Sequence, residues 1–130
     1  MIRYVLDTHA IVWAIGAPKK LGTKARQVIE YAAPGQLGIS AASVMELGRL
    51  LNEDAFDLGG MSPADFFAPF FAQCPQIPVS INAALRAPVL ALPQGDPYDR
   101  IIVATALDIG VPLITKDGNI TDSGLVRVLW

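Results

Sequence analysis

The stretch IRYVLDTHAIVWAIGAP, residues 2–18, decides the fold because an apolar run stops in it at a polar pair. Residues 2–6 favour a short β-strand that ends at Asp7. Residues 8–18 have mixed apolar content and close on glycine and proline, which predicts a short helix with a stop signal. A strand that passes directly into a helix is the repeating unit of an α/β protein.

The rest of the chain repeats this alternation of short apolar runs and helical patterns. Further strands are predicted at residues 36–40, 77–81, 111–115 and 125–130, and helices at residues 21–33, 41–51, 62–73, 82–95 and 97–109. The strands are apolar throughout, which predicts a short parallel β-sheet covered by helices on both faces. Since no repeat or long linker divides the sequence, we expect one α/β domain over residues 1–130.

Two prolines lie inside predicted helices. Pro69 lacks an amide hydrogen and is expected to kink or split its helix, and Pro88 is expected to interrupt the helix at residues 82–95. The first of these helices also carries four aromatic rings at i,i+4 spacing, namely Phe66, Phe67, Phe70 and Phe71. This spacing leaves open whether the rings form core or a face for another chain.

Composition limits the classes of protein to which the chain can belong. Apolar residues make up 52% and charged residues 17% of the 130 residues, against a usual ~45–50% and ~25%. These values exclude a disordered chain and predict a partner or a self-interface. Cys74 is the single cysteine, so a reduced, cytoplasmic setting is expected. Asp7 and His9 interrupt the first apolar stretch, which suits neither a signal peptide nor a membrane span.

The net charge of −2 does not by itself favour nucleic acid as a partner. If four of the twelve acidic residues held metal ions, eight would remain against ten lysines and arginines. The rest of the surface would then be mildly basic. The overall charge therefore leaves a nucleic-acid partner open without supporting it.

Acidic side chains follow three of the predicted strands. Asp7 and Asp117 come directly after strands, and Glu46 lies shortly after another. Asp99 lies in the first turn of the helix predicted at residues 97–109. Because the carboxyl ends of parallel strands meet at one edge of the sheet, these four side chains are expected to lie close together. Adjacent carboxylates repel one another unless a cation neutralises them, and Mg²⁺ and Mn²⁺ prefer oxygen ligands.

Each of these acids also has a structural interpretation. Asp7 can cap the helix that follows it, and Asp117 precedes a glycine, a common pair in turns. Glu46 can form a capping box with Ser43. The segment that begins at Asp96 has the order of an N-cap, a first-turn proline and a first-turn acid.

The chain contains a second copy of that order. Residues 62–65, SPAD, again place a cap, a proline and an acid in sequence, and nothing else marks Asp65 as functional. Local sequence therefore does not separate a catalytic Asp99 from a stabilising one. Only the position of Asp99 relative to the other acids can do so.

Four segments taken together resemble the PIN-domain nucleases, particularly the VapC-type toxins of bacterial toxin–antitoxin pairs. They are YVLDTHAIVWAI at 4–15, ISAASVMELGRL at 39–50, DPYDRIIVATAL at 96–107 and PLITKD at 112–117. The resemblance runs over residues 3–130 and implies a single PIN-like domain. It also implies a metal-dependent endoribonuclease that uses Mg²⁺ or Mn²⁺, with four catalytic metal ligands: Asp7, Glu46, Asp99 and Asp117.

The resemblance implies roles for the neighbours of these acids and for partner molecules. Thr8, Asp96 and Thr115 would orient carboxylates or water. Arg100 and Lys116 could contact phosphate, although each is equally compatible with a solvated surface charge. The implied partners are an RNA substrate, a small antitoxin protein and a second copy of the chain. The phenylalanines would then belong either to the core or to a dimer face or antitoxin groove.

Other interpretations remain at this stage. A catalytically degenerate PIN-like domain would only bind RNA or a protein. An aspartyl-phosphate phosphotransferase is disfavoured because its second aspartate would fall at position 9, which is histidine. A receiver-type switch is disfavoured because residues 77–82 supply no aspartate after a middle strand. His9 is more typical of a packed or solvent-edge residue than of a base. Trp13 and Trp130 could stack on bases, but the sequence favours core for Trp13.

Overall fold

The computed structural model describes residues 1–55, 57–93 and 95–130. Within these ranges, five strands form one parallel sheet in the order β3-β2-β1-β4-β5. The strands are β1 Tyr4–Leu6, β2 Leu37–Ser40, β3 Gln76–Ile77, β4 Leu113–Ile114 and β5 Val128–Leu129. The helices are α1 Thr8–Gly16, α2 Thr23–Tyr31, α3 Ala41–Asn52, α4 Pro63–Gln73, α5 Ile81–Arg86, α6 Pro97–Ile109 and α7 Gly118–Ser123. The predicted α/β class is confirmed.

The two faces of the sheet are buried against different helices. Successive strand residues point to opposite faces, so Val5 packs in one core cluster and Leu6 in the other. The first cluster includes residues of α5, α6 and α7, and the second includes residues of α1, α2 and α4. This double burial explains why the strands are apolar throughout. In the described part of the chain, no helix is both long and apolar enough to span a membrane.

Helix α4 is continuous through Pro69, so the prediction that this proline splits the helix is wrong. Phe67 is buried in the second core cluster, and the three other rings of the helix pack against that cluster from positions before and after the proline. The rings also contact one another, with Phe67 and Phe71 stacked at 5.6 Å between centroids. Packing on both sides of the proline outweighs the loss of one helical hydrogen bond.

The third strand is shorter than predicted. It covers Gln76–Ile77 rather than residues 77–81, because Pro78 has no amide hydrogen for the ladder. Ser80 instead begins α5, its Oγ accepting a hydrogen bond from the Ala83 amide at 3.0 Å. The helix predicted at residues 82–95 is reduced to α5 and a 3-10 turn at Ala87–Val89 that contains Pro88.

Helix α6 has the boundaries that the sequence predicts. The Asp96 carboxylate accepts a hydrogen bond from the Tyr98 amide at 2.8 Å, and Pro97 occupies the first position. The helix ends at Gly110, whose φ of 72° is the left-handed conformation that glycine adopts without strain. Asp99 is thereby fixed in the first turn, one turn from the cap.

Candidate active site

A pocket of about 360 Å³ opens at the carboxyl edge of the sheet, beside the central strand β1. Strands β2 and β4 flank β1 on either side, and their connections leave in opposite directions, which is where parallel α/β sheets form ligand sites. We call this cavity the acidic pocket; it is lined by Asp7, His9, Trp13, Glu46, Asp96, Asp99, Lys116 and Asp117. All four predicted metal ligands therefore line one cavity.

Three of these carboxylates form a tight group. One oxygen each from Asp7, Glu46 and Asp99 lies within 4.8 Å of the others. Asp7 follows β1, Glu46 lies in the second turn of α3, and Asp99 lies in the first turn of α6. Asp7 and Glu46 are buried, and Asp99 is partly exposed to the pocket. Three separate elements thus deliver oxygen donors to one point.

Asp117 lines the same pocket but lies outside the group of three. Its Oδ1 accepts a hydrogen bond from the Ile120 amide at 3.0 Å and so caps α7, a helix that the sequence did not predict. Its charge still contributes to raising the pKa of Asp7 and of Asp99. The Asp117 side chain therefore both caps α7 and adds negative charge beside Asp7 and Asp99.

Both carboxylate oxygens of Asp7 are held by hydrogen bonds. The Thr8 amide donates to Oδ1 at 2.7 Å, and the Thr115 hydroxyl donates to Oδ2 at 2.7 Å. The Thr115 oxygen in turn accepts from the Asp117 amide at 3.1 Å. Asp7 therefore caps α1 and belongs to the acidic group at once, and Thr115 ties the ends of β1 and β4 together.

Glu46 does not form a capping box with Ser43. Ser40 caps α3, its Oγ accepting from the Ala42 amide at 3.2 Å, and Ser43 lies within the helix. Burial raises the pKa of Glu46, the nearby Thr8 hydroxyl offsets part of this, and Asp96 raises it further. The fully buried Thr8 Oγ1 lies close to the Glu46 carboxylate, but within the described ranges neither it nor Ser43 Oγ makes a hydrogen bond of full geometry.

The acidic group is short of positive charge. Burial, together with the negative charges of Asp7, Asp96, Asp117 and Glu46, raises the pKa of Asp99 to about 7. Burial also raises the pKa of Asp7, against the two hydrogen bonds that it accepts. Full ionisation of the group at neutral pH is therefore costly without a cation. The all-oxygen donor set of the three converging carboxylates fits a hard divalent ion.

Arg49 is a site residue that the sequence analysis missed. Its guanidinium lies 3.4 Å from the Glu46 carboxylate, 3.1 Å from that of Glu53, and 5.9 Å from the centroid of the Tyr98 ring. The i,i+3 spacing from Glu46 along α3 is the signal that could have predicted the contact. Arg49 therefore offsets part of the negative charge of Glu46.

Arg100 does not point to the acidic group as a free cation. Its guanidinium donates to the carbonyls of Ala87 at 3.2 Å, Leu90 at 2.9 Å and Leu92 at 2.7 Å. These bonds hold the segment at residues 87–93 against α6. The structure therefore favours neither a phosphate contact nor a solvated surface charge for Arg100. Its hydrogen bonds indicate a structural role.

Arg100→Gln is expected to lower the free energy of unfolding by roughly 1.5–3 kcal/mol, because buried carbonyls lose a charged donor. Urea denaturation measures the change. Arg86→Gln, on an exposed arginine at the end of α5, is the control and is expected to change little. Equal stability of the Arg100 variant and the wild type would contradict the structural role.

The fold and the pocket define a class of protein: a parallel α/β domain with three converging carboxylates at the carboxyl edge of its sheet. The chain belongs to the PIN domain family, which it matches over residues 4–123. It is 33% identical over 125 residues to Ribonuclease VapC22 of Mycobacterium tuberculosis, covering 90% of this chain and 88% of that protein.

Solved structures have the same fold. VapBC2 from Rickettsia felis, bound to a DNA fragment from its promoter, superposes with a TM-score of 0.75 at 18% identity, covering 99% and 98% of the two chains. VapC20 of Mycobacterium tuberculosis, described as a Sarcin-Ricin loop cleaving toxin, gives 0.65 at 17% identity, covering 96% and 98%. The predicted resemblance to PIN domains of the VapC type is confirmed.

Proposed function

We propose that this protein is a metal-dependent endoribonuclease and the toxin of a toxin–antitoxin pair. The observation that carries the proposal is the convergence of Asp7, Glu46 and Asp99 within 4.8 Å in a PIN domain. The relative at 33% identity is named a ribonuclease, and several structural neighbours are toxin–antitoxin complexes. In this proposal the protein acts in the cytoplasm, where RNA and Mg²⁺ are both present.

Asp7, Glu46 and Asp99 are the proposed ligands of Mg²⁺ or Mn²⁺, with Asp117 at the rim of the site. The chemistry that such a cation supplies when bound is activation of water and stabilisation of negative charge on a phosphate. Thr115 fixes the Asp7 carboxylate through its 2.7 Å hydrogen bond. Thr8 and Asp96 border Glu46, and Lys116 is the lysine of the acidic pocket that is available to a substrate phosphate.

The test is cleavage of a mixed single-stranded and structured RNA pool by the purified protein. Cleavage is expected with Mg²⁺ or Mn²⁺ and is expected to stop in EDTA. A parallel incubation with DNA of the same sequences reports whether cleavage requires the ribose 2′-hydroxyl. Binding of RNA without cleavage under every metal condition would instead support the degenerate, binding-only domain.

Thr115→Val is expected to weaken Mn²⁺ binding and RNA cleavage by about 10–100-fold, the usual effect of losing a residue that orients a metal ligand. The buried Asp7 carboxylate loses a donor, whereas the group of three carboxylates stays in place. Isothermal titration with Mn²⁺ and a cleavage assay measure the two effects. Thr23→Val, on an exposed threonine of α2, serves as the control. Unchanged metal affinity would contradict the orienting role.

We also propose that the protein forms a homodimer through α5. Ile81, Leu85 and Val89 are 79%, 71% and 80% exposed and follow one another at four-residue spacing along α5 and the next turn. A continuous row of exposed apolar side chains is typical of an interface. Leu85→Asp is expected to give a monomer in light scattering, whereas Tyr31→Asp, on an exposed residue of α2, is expected to remain dimeric. A wild-type monomer would contradict this proposal.

A further inference from the structure

Trp13 lies between two cavities. One is the acidic pocket, and the other has a volume of about 350 Å³ and runs along the outer side of α1. We call the second cavity the α1 cleft; its described lining includes His9, Val12, Trp13, Lys20, Asp57 and Phe66. Because His9 and Trp13 line both cavities, the cleft adjoins the acidic pocket at these two rings.

The indole of Trp13 is held in place by neighbouring rings. Trp130 meets it edge-on with 5.8 Å between centroids, and His9 is tilted against it at 5.7 Å. Trp130 is itself fixed by Gly22, where an added Cβ would lie 2.5 Å from the Trp130 ring. Trp13 packs against the second core cluster, as the sequence favoured, and it also remains partly exposed. A fixed, partly exposed indole is a flat apolar surface that needs little ordering to bind a ligand.

Lys116 brings a cation to the same place. Its Nζ lies 5.6 Å from the centroid of the Trp13 ring. Within the described ranges, no carboxylate lies within 4.0 Å of this ammonium, although Lys116 lines the acidic pocket. Lys20 adds a second cation at the far side of the α1 cleft. Lys116 beside Trp13 and Lys20 in the cleft, the latter partly offset by Asp57, complement a flat ring with a phosphate next to it.

We propose that the α1 cleft binds the nucleobase of the nucleotide next to the phosphate in the acidic pocket, stacked on Trp13, with Lys116 on the adjoining phosphate. This inference rests on the proposed ribonuclease function and names a substrate contact for that site. A single-stranded RNA offers unstacked bases, and an aromatic platform binds them with little regard to sequence. Loss of one such platform weakens binding by about 5–100-fold.

The first test uses fluorescence of Trp13 alone. In the variant Trp130→Phe combined with Asp99→Asn, Trp13 is the remaining tryptophan and cleavage is suppressed. Short single-stranded RNAs are titrated in Mg²⁺, each with an abasic ribose at a different position. Intact RNA is expected to quench the emission, and one abasic position is expected to abolish the quenching and weaken binding by about 5–100-fold. Absence of quenching, or equal quenching by all RNAs, would overturn the proposal.

The second test uses cleavage by the otherwise wild-type protein. Trp13→Leu is expected to raise KM by about 5–100-fold with a smaller change in kcat, and Trp13→Phe is expected to restore most of the loss. Tyr31→Leu, on an aromatic residue that is 85% exposed on α2, is the matched control. A purely structural role for Trp13 predicts loss of stability without rescue of KM by phenylalanine.

The outcomes separate this inference from the function on which it rests. If Trp13→Leu cleaves RNA with an unchanged KM, the proposed base stacking on Trp13 is overturned and the proposed nuclease function is retained. If RNA quenches Trp13 emission at one base position but the wild-type protein cleaves no RNA, base stacking is retained and the nuclease function is overturned. If Trp13→Leu leaves KM unchanged but weakens inhibition by a protein partner, the α1 cleft is a protein docking site and the nucleobase proposal fails.

Discussion

Asp99→Asn is expected to lower kcat/KM for RNA cleavage by about 10²–10³-fold or more while the protein stays folded. The substitution removes one of three carboxylates that converge within 4.8 Å. A bound divalent cation supplies several kcal/mol of transition-state stabilisation, and each ~1.4 kcal/mol is tenfold in rate. A cleavage assay in Mn²⁺, with circular dichroism to verify folding, measures the effect.

The chain supplies a closely matched control in Asp65→Asn. Ser62 caps α4, Pro63 follows, and Asp65 lies in the first turn, which is the arrangement of Asp96, Pro97 and Asp99 in α6. Asp65 is exposed and lies outside the acidic pocket. We expect its substitution to leave cleavage within about twofold of wild type and to lower stability slightly, since it removes a favourable helix-dipole interaction. Equal losses in both variants would contradict the assignment of Asp99.

The pair Asp65 and Asp99 shows what local sequence can and cannot decide. Caps and first-turn prolines predicted both helix starts correctly, because these depend on a few neighbouring backbone groups. They could not distinguish the two acids, whose local environments are alike. What distinguishes Asp99 is that α6 begins at the carboxyl edge of the sheet, and this was predictable only from the set of acids that follow strands.

Other parts of the site depend on packing that no local pattern encodes. The partners of Arg100 are carbonyls in and just after a 3-10 turn between α5 and α6. Trp13 has an apolar side chain on a helix that faces the core, and its partial exposure depends on how Trp130 and Phe66 cover α1. Helix α7 has six residues and no apolar periodicity to reveal it.

The metal-free protein is expected to be more stable at about pH 5.5 than at about pH 8. The pKa of Asp99 is raised from 3.8 to about 7 in the folded protein. Between these values the folded state binds a proton that the unfolded state has lost, so the free energy of unfolding decreases as pH rises through this window. The raised pKa values of Asp7 and Glu46 act in the same direction. Thermal melts in EDTA are expected to show a difference of several degrees in Tm.

Divalent cations are expected to reverse this dependence, because they bind the ionised carboxylates. At a metal concentration of about 100 times Kd, binding contributes roughly 2.7 kcal/mol, so Mn²⁺ or Mg²⁺ should raise Tm clearly at about pH 8 and little at about pH 5.5. Asp99→Asn should raise Tm in EDTA at the higher pH and lose most of the metal response, whereas Asp65→Asn should retain both wild-type behaviours. A Tm in EDTA that rises with pH, or a metal response equal in both variants, would contradict a cation site at these carboxylates. In the proposed function, the charge repulsion that destabilises the metal-free protein at high pH would also favour the binding of a metal ion.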